Sequence, residues 1–339
     1  MTRPLSVTVA ALTRRRPRML SSLIDSFAAL RIPEGCTVRF LIVENDTDPL
    51  SREAVERRAP LPGGGLDYVL EPEPGIPFGR NRAAKEAIAA GHDLLAFVDD
   101  DEVVADDWLV NLIAGYRQSG AVLLGAPLGI HPPQDGLSWI QTKMHDCIRR
   151  RYAKKAARAA RRADLTGTPG VTIVTNNWLA ETGLFTDHGI WFDEAMRYTG
   201  GTDAKLSAQV KDAGLPTAWV ADAYVHEIVP PERLSFGYQF ARGRDQSNTN
   251  FRRKIAANPA ARWTVLVTVP LKGLSAFGLG LMLIPSNGTT MLDLARTTGW
   301  IAGRLGAIAG ARSNLYRRTT GHLRKIDRIE SINRLSIGR

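Results

Sequence analysis

Five consecutive apolar residues, Leu94-Leu95-Ala96-Phe97-Val98, run directly into Asp99-Asp100-Asp101-Glu102. A short apolar run without alternation reads as a strand covered on both faces, the kind that belongs to a mostly parallel α/β sheet. Such sheets bind ligands beyond the carboxyl ends of their strands, so four carboxylates stand where chemistry is usually done. Crowding them is costly unless a cation relieves the repulsion. A hard divalent ion shared with a diphosphate fits that need, because magnesium-type ions take one or two carboxylates plus phosphate oxygens. A solvated acidic loop leading into a helix near Asp106 is the plain alternative at this point.

The first half of the chain repeats a strand–helix alternation. Strands are expected at 5–12, 40–43, 66–70, 94–98 and 121–126. Met19, Leu20, Leu23, Ile24, Phe27 and Leu30 keep helical spacing, and further helices are expected at 79–90 and 106–118. This alternation predicts a doubly wound, mostly parallel sheet. Later the pattern loosens. Residues 129–146 read as a loop or short helix, and a strand at 171–175 leads into Asn176-Asn177. A helix follows Gly200-Gly201-Thr202-Asp203, with Thr202 as its N-cap and Gly214 as its stop. A last strand at 217–225 ends at His226-Glu227.

The charge is local. The chain carries 44 Lys and Arg against 34 Asp and Glu, a net charge of +10, yet two segments hold all of the excess. Residues 149–162 contain eight basic and no acidic side chains, and 312–339 contain eight basic and two acidic, so the rest is net acidic. A nucleic-acid reader spreads its basic residues over a face interleaved with aromatics. Two isolated blocks point instead to an anionic membrane surface, or to a solvated basic helix carrying Ile148, Tyr152, Ala156, Ala159 and Ala163 on one face.

Residues 263–284 are almost wholly apolar and long enough to span a bilayer. Pro270, Lys272 and the glycines and serine among them equally admit a re-entrant or interfacial segment. After it, Gly299-xxx-Gly303 and Gly306-xxx-Gly310 allow close helix packing, in a membrane or in a buried helical subdomain. The expected organisation is a catalytic region over 1–250 and a helical, apolar and basic region over 251–339. Cys36 and Cys147 stand alone, which excludes a disulfide framework and suits a reducing compartment. With Met1 running almost directly into a strand and no signal peptide between, the expected place is cytoplasmic, peripheral or monotopic at the inner face of the cell membrane.

Several short stretches, in order, resemble the family 2 glycosyltransferases: Leu5-Ser-Val-Thr-Val, Leu41-Ile-Val-Glu-Asn-Asp, Gly79-Arg-Asn-Arg, Phe97-Val-Asp-Asp-Asp, Gly201-Thr-Asp and Gln239-Phe-Ala-Arg242. The resemblance covers roughly residues 5–245 and implies the A-type nucleotide-sugar-binding fold. It implies that Glu44 and Asn45 hold the base and ribose of a UDP-sugar and that Arg80 lies near the donor nucleotide. Asp99, Asp100 and Asp101 match the aspartate-rich motif, with Asp99 nearer the ribose and Asp101 on a manganese or magnesium ion. Asp203 matches the catalytic base, and His226 is placed like a third metal ligand.

The sequence departs from the family pattern at three points. Thr202 stands where a glutamate usually precedes the base. Asn45 stands where an aspartate is common, which leaves a thymidine donor open. The tryptophan that closes the Gln239 motif in processive polymerases is missing, which favours addition of one sugar at a time.

The chemistry suits these residue types. Transfer from a nucleoside diphosphate needs the leaving group neutralised as charge develops on it. It also needs one base to take the acceptor hydroxyl's proton, which Asp203 can do with inversion at the anomeric carbon. The reading is thus a metal-dependent, inverting hexosyltransferase acting on a lipid-linked or polysaccharide acceptor. A sugar nucleotidyltransferase is one alternative, although residues 10–18 lack the glycines its phosphate loop needs. A non-catalytic nucleotide-sugar-binding membrane scaffold is the other.

Overall fold

The computed structural model describes residues 3–58, 60–166, 173–197 and 201–311. The basic segment 312–339 lies outside the described residues, as do 171 and 172 of the strand expected at 171–175. In chain order the first elements are β1 (Leu5–Thr13), α1 (Pro17–Ala28), β2 (Cys36–Glu44), α2 (Arg52–Glu56), β3 (Leu66–Leu70), α3 (Ile76–Ala89), β4 (Leu94–Asp99), β5 (Glu102–Val104) and α4 (Trp108–Ser119). Then come β6 (Leu123–Gly125), β7 (Leu128–Ile130), α5 (Trp139–Thr166), β8 (Asn177–Glu181), α6 (Gly183–Thr186), α7 (Thr202–Asp212), β9 (Thr217–Trp219) and β10 (Val225–Glu227). The last three are α8 (Phe236–Ala257), α9 (Val265–Leu281) and α10 (Met291–Ile308).

Seven strands form one sheet in the order β3-β2-β1-β4-β8-β6-β9, mostly parallel, with β8 antiparallel to both neighbours. The apolar run of β4 is buried on both faces, as its lack of alternation requires. Leu94, Ala96 and Val98 enter one core with Leu20, Leu23, Ile24 and Phe27 of α1 and with α4. Leu95 and Phe97 enter the opposite core with Ala83, Ala84 and Ala87 of α3. The period-2 pleat thus assigns alternate residues of one strand to two helical layers. Pro17 sits in the first turn of α1, where a missing N–H costs nothing.

Three expectations change. The strand expected at 171–175 begins instead at Asn177 and runs antiparallel, so Asn176 still falls at the sheet edge where β4 ends, because Val98 pairs with Asn177. The single strand expected at 217–225 is two short ones in different sheets, and His226 and Glu227 lie inside the second. That second sheet, β5-β10-β7, follows the aspartates at once through a turn at Asp100 and Asp101. Thr202 is the first helical residue of α7 rather than its cap, since Gly201 takes the cap position at φ 82°.

Residues 129–146 contain β7 and the start of α5, which continues through the basic run for 28 residues. Of the face expected there, Ile148, Ala156 and Ala159 are buried. α8 runs past residue 250 to Ala257, and α10 packs against it. A Cβ at Gly299 would lie 2.2 Å from the Phe240 carbonyl oxygen, and one at Gly303 2.2 Å from that of Arg244. The first glycine pair therefore permits the contact, whereas Gly306 meets nothing nearer than 3.6 Å. Between them, α9 has no buried residue.

Candidate active site

The ends of β1, β4, β6 and β9 and the start of antiparallel β8 meet along one sheet edge, because Leu12 pairs with Asp99, Val98 with Asn177 and Gly125 with both Trp178 and Trp219. A cleft of about 570 Å3 opens there, walled by these strand ends, by α5 and by α8. It lies outside the carboxyl ends of the parallel strands, as open α/β sheets require of a ligand site.

Arg80, only 6% exposed, connects two carboxylates across the cleft. Its Nη1 donates to Thr202 Oγ1 at 3.0 Å and to Asp203 Oδ1 at 2.5 Å, and its Nη2 lies 4.0 Å from Asp99. The guanidinium also rests 5.5 Å over the Phe192 ring. The Asp203 oxygen that takes this bond accepts a second, 2.8 Å long, from the Thr175 hydroxyl. Both donors converge on Oδ1 of Asp203, which stands in the N-terminal turn of α7.

The aspartates at the end of β4 differ sharply. Asp99 keeps 37% of its side chain exposed, while Asp100 and Asp101 are buried against arginines. Asp100 accepts from Thr13 Oγ1 and from Arg16 Nη1, both at 2.8 Å. Asp101 accepts from Arg233 Nη1 at 2.9 Å and from Arg16 Nη1 at 3.3 Å. Arg233 continues to Glu227 at 3.1 Å, which also accepts from the Tyr152 hydroxyl at 3.2 Å.

Although part of its side chain is open to the cleft, the desolvation imposed by the enclosing strand ends raises the carboxyl of Asp99 to about 7; Arg80 opposes this, and the charges of Asp101, Asp100 and Asp203 add to it. Burial likewise raises Asp100 to about 6 against the pull of Arg16. Glu102, whose carboxylate accepts from the Asp99 amide at 2.9 Å, is pushed well above its ordinary value by burial and then by Asp99 and Asp101. Glu227 is raised as well, by burial first and Asp101 next.

The structure brings together most of the residues singled out in the sequence. Asp99, Asp100, Asp101, Arg80, Asn45 and Asp203 all line the cleft. Asn45 does so with its amide committed: it donates to the carbonyls of Glu71 and Glu73 and accepts from Gly75 N at 2.8 Å, which pins the loop leading into α3. Glu44 is not at the cleft. It is fully buried and accepts from Ser51 N, Ser51 Oγ and, at 2.6 Å, the Tyr68 hydroxyl, because the chain turns back after β2 so that α2 packs on β3. His226 also lies elsewhere. Alternation along β10 turns it away and presents Glu227, so His226 stacks on Tyr224 in a second cleft.

Of Asn176-Asn177, only the first reaches the cleft. Asn177 donates to the carbonyls of Pro127 and Ala223 and accepts from Trp108 Nε1, so it fixes the chain between the two sheets. Gln239 turns to α10, where it accepts from Arg296, while Arg242 of the same motif lines the cleft. Glu227, Arg233, Thr175 and Trp219 also line the cleft, and the sequence does not mark them as site residues. Only their tertiary positions identify them, since no local pattern marks Arg233 within Pro230-Pro-Glu-Arg-Leu.

Among the described residues, no three His, Cys, Asp or Glu side chains converge as a complete cage for a metal ion. Asp99 and Asp101 supply oxygen donors of the kind hard divalent ions take, and two such carboxylates suffice where a diphosphate and water complete the shell. The donor set therefore fits an ion held jointly with a nucleotide.

Comparison with known proteins places this geometry among relatives. Residues 3–248 match the family described as glycosyltransferase like family 2. The succinoglycan biosynthesis protein ExoM of Rhizobium meliloti (strain 1021) is 29% identical over 252 residues, which span 74% of this chain and 76% of ExoM. Among solved structures, the mannosyltransferase PcManGT of Pyrobaculum calidifontis, in complex with GDP-Man and Mn2+, superposes with a TM-score of 0.58 at 16% identity, covering 90% of this chain and 88% of that one. The S. aureus TarS 1–349 structure gives 0.49 at 13% identity, covering 94% and 95%.

Proposed function

The chain belongs to glycosyltransferase like family 2, and from that premise we propose that its cleft moves one hexose at a time from a nucleoside-diphosphate sugar to a glycan hydroxyl with inversion. UDP-hexoses are the donors that the family resemblance implies, and a lipid-linked or polysaccharide glycan is the acceptor. The polysaccharide-biosynthesis role named for ExoM supports that acceptor class. Family membership leaves no place for the sugar nucleotidyltransferase alternative.

One observation carries the reading. Asp203 and Asp99 face one cleft from opposite sides of the Arg80 guanidinium. In this reading Asp203 takes the proton from the acceptor hydroxyl, held in place by Arg80 and Thr175. A divalent ion at Asp99 and Asp101, for which the Mn2+ named with PcManGT is a precedent, supplies positive charge to the leaving diphosphate. Arg16 and Arg233 pair with Asp100 and Asp101 and so offset the crowded negative charge at this strand end.

The same proposal extends to location. Leu266, Leu271, Leu274 and Phe277 of α9 are all more than half exposed, and Pro259–Leu281 is long and apolar enough to cross a membrane. With the basic residues of α5 they suit an anionic lipid surface, at the cytoplasmic face where nucleotide sugars are met. The test is a donor panel on purified protein: sugar transfer or hydrolysis from UDP-, GDP- and dTDP-hexoses, with manganese, magnesium or chelator. Turnover of a UDP-hexose that stops in chelator is the expected result. Full turnover in chelator overturns the metal assignment, and inertness towards every donor overturns the transfer reaction.

A further inference from the structure

Among the described residues, five buried polar atoms of cleft-lining side chains have no hydrogen-bond partner; three are the Nε atoms of Arg14, Arg16 and Arg80, arginines already ion-paired with Asp46, Asp100 and Asp203, and the other two are Asn176 Oδ1 and Trp219 Nε1. One accepts and the other donates. Buried groups of this kind are rarely left unpaired without a functional reason. A hydroxyl-rich ligand answers both at once, since each hydroxyl can donate and accept.

Their place in the sheet says which substrate they meet. Asn45 and the Gly75 loop mark the β2–β3 side of the cleft, and the aspartates stand at its middle, on β4. Asn176 and Trp219 lie beyond them, at the ends of β8 and β9. Asn176 directly follows Thr175, whose hydroxyl holds Asp203. They are thus on the side of the base and away from the loop expected to take the nucleotide.

Beyond them the main cleft adjoins a second one of about 390 Å3, with Pro127, Leu128 and Ala156 lining both. Its volume falls within the range of roughly 300–1,000 Å3 usual for small-molecule sites. Ala153, Ala157 and Ala160 of α5 form one wall, and the stacked rings of Tyr224 and His226, 6.0 Å apart, form the other. Small side chains facing a flat aromatic surface suit the C–H face of a sugar ring, and Arg149 and Asp222 border the cleft with polar groups.

We infer that Asn176 and Trp219 seat the reacting sugar of the acceptor and that the second cleft holds the sugars that precede it, so that the enzyme selects an oligosaccharide end rather than a single hexose. The inference rests on the transfer reaction proposed above. It goes further by naming the acceptor's subsites and its minimum length.

The test uses full-length protein, the donor found active in the panel, and gluco- and galacto-configured acceptors of one to four hexoses, each with a methyl or an octyl aglycone. Asn176→Ala and Trp219→Phe, which keeps the ring and loses the N–H, are expected to raise acceptor KM about tenfold each. Donor hydrolysis and nucleoside-diphosphate binding by calorimetry should remain unchanged. Tyr224→Ala and Ala157→Trp should spare the single-hexose acceptor and abolish the gain from the second and third sugars. Saturation-transfer NMR with a trisaccharide, in the presence of nucleoside diphosphate, reads the same binding without turnover. Unchanged acceptor KM and unchanged NMR contacts in Asn176→Ala and Trp219→Phe overturn the subsite. Affinity that tracks the octyl chain rather than sugar number makes the second cleft a lipid groove and overturns its role here. Failure of the transfer reaction itself appears separately, as a wild-type protein that turns over no donor at all.

Discussion

Arg80 Nη1 and Asp203 Oδ1 lie 2.5 Å apart in the wall of the cleft, although their positions are 123 residues apart in the chain. The pair joins α3 to the first turn of α7 and leaves the arginine nearly sealed from solvent. In the proposed reaction it orients the base, and its other edge faces Asp99. These contacts favour a positioning role for Arg80 over that of a phosphate ligand in the proposed reaction. Arg80→Lys, which loses the planar fork, should lower kcat about a hundredfold while nucleoside-diphosphate affinity stays within about twofold. Calorimetry beside steady-state kinetics checks it; a loss of nucleotide affinity equal to the loss of rate would place Arg80 on the phosphates.

Asp203→Asn should remove transfer by a factor of about 10²–10⁴, the usual contribution of a general base. The amide still accepts from Arg80 and Thr175, so nucleotide binding and the melting temperature should stay near those of the wild type. Collapse of donor binding in that variant would assign Asp203 to the donor site instead.

Asp99, held up to about 7, and Asp100, to about 6, give the ion-free cleft a pH dependence of known sign. A carboxyl raised in the fold favours stability while it is protonated, and that contribution is lost as pH rises from about 4 through the folded value. Cation binding needs the ionised form. Manganese should therefore raise the melting temperature little at pH 5, more at pH 6, and most above pH 7. A manganese-induced shift of constant size across that range would show that these carboxylates do not hold the ion.

Replacing Leu271, Leu274 and Phe277 together by Glu tests the lipid surface without touching the packed helices, since all three are more than 60% exposed on α9. Wild-type protein should stay with anionic vesicles in high salt and come off in detergent. The triple variant should come off in salt alone, because only basic residues, at about 1 kcal/mol each near the surface, would remain to hold it. Equal salt resistance in both proteins would remove α9 from the contact.

Gly303→Val should cost roughly 1–3 kcal/mol of stability by overpacking, since its first side-chain carbon meets the Arg244 carbonyl at 2.2 Å. Gly306→Ala, whose nearest neighbours are 3.6 Å away, should be neutral or slightly stabilising. Urea denaturation of the two variants decides whether the α8–α10 contact holds the fold together.

What the sequence reveals of this site follows from how local each cause is. The β4 run and the acids after it are legible because burial on both faces and the strand's abrupt end are written in nine adjacent residues. The direction of β8 is not, since a strand's own residues do not encode the polarity of its neighbours, yet Asn176 reaches the expected edge either way. Glu227 rather than His226 enters the cleft because pairing with Glu102 and Ile130 sets the parity of a three-residue strand. Glu44 is lost to Ser51 and Tyr68, partners that only the fold of α2 over β3 reveals. Arg233 reaches Asp101 across 132 residues, with no pattern in its neighbourhood to announce it.

The long helix α5 touches two separate regions of the molecule. At Cys147 its thiol lies 3.4 Å from the Thr289 carbonyl in the turn between α9 and α10, and at Ala156 it walls the cleft. Nine residues of helix separate these points, a rise of about 14 Å. The helix thus works as a rigid strut of set length between the apolar helix and the chemistry. Any surface that α9 lies upon is held at a fixed height from Asp203, so that an acceptor attached to such a surface, as proposed, would be met at a constant reach rather than wherever it happens to extend.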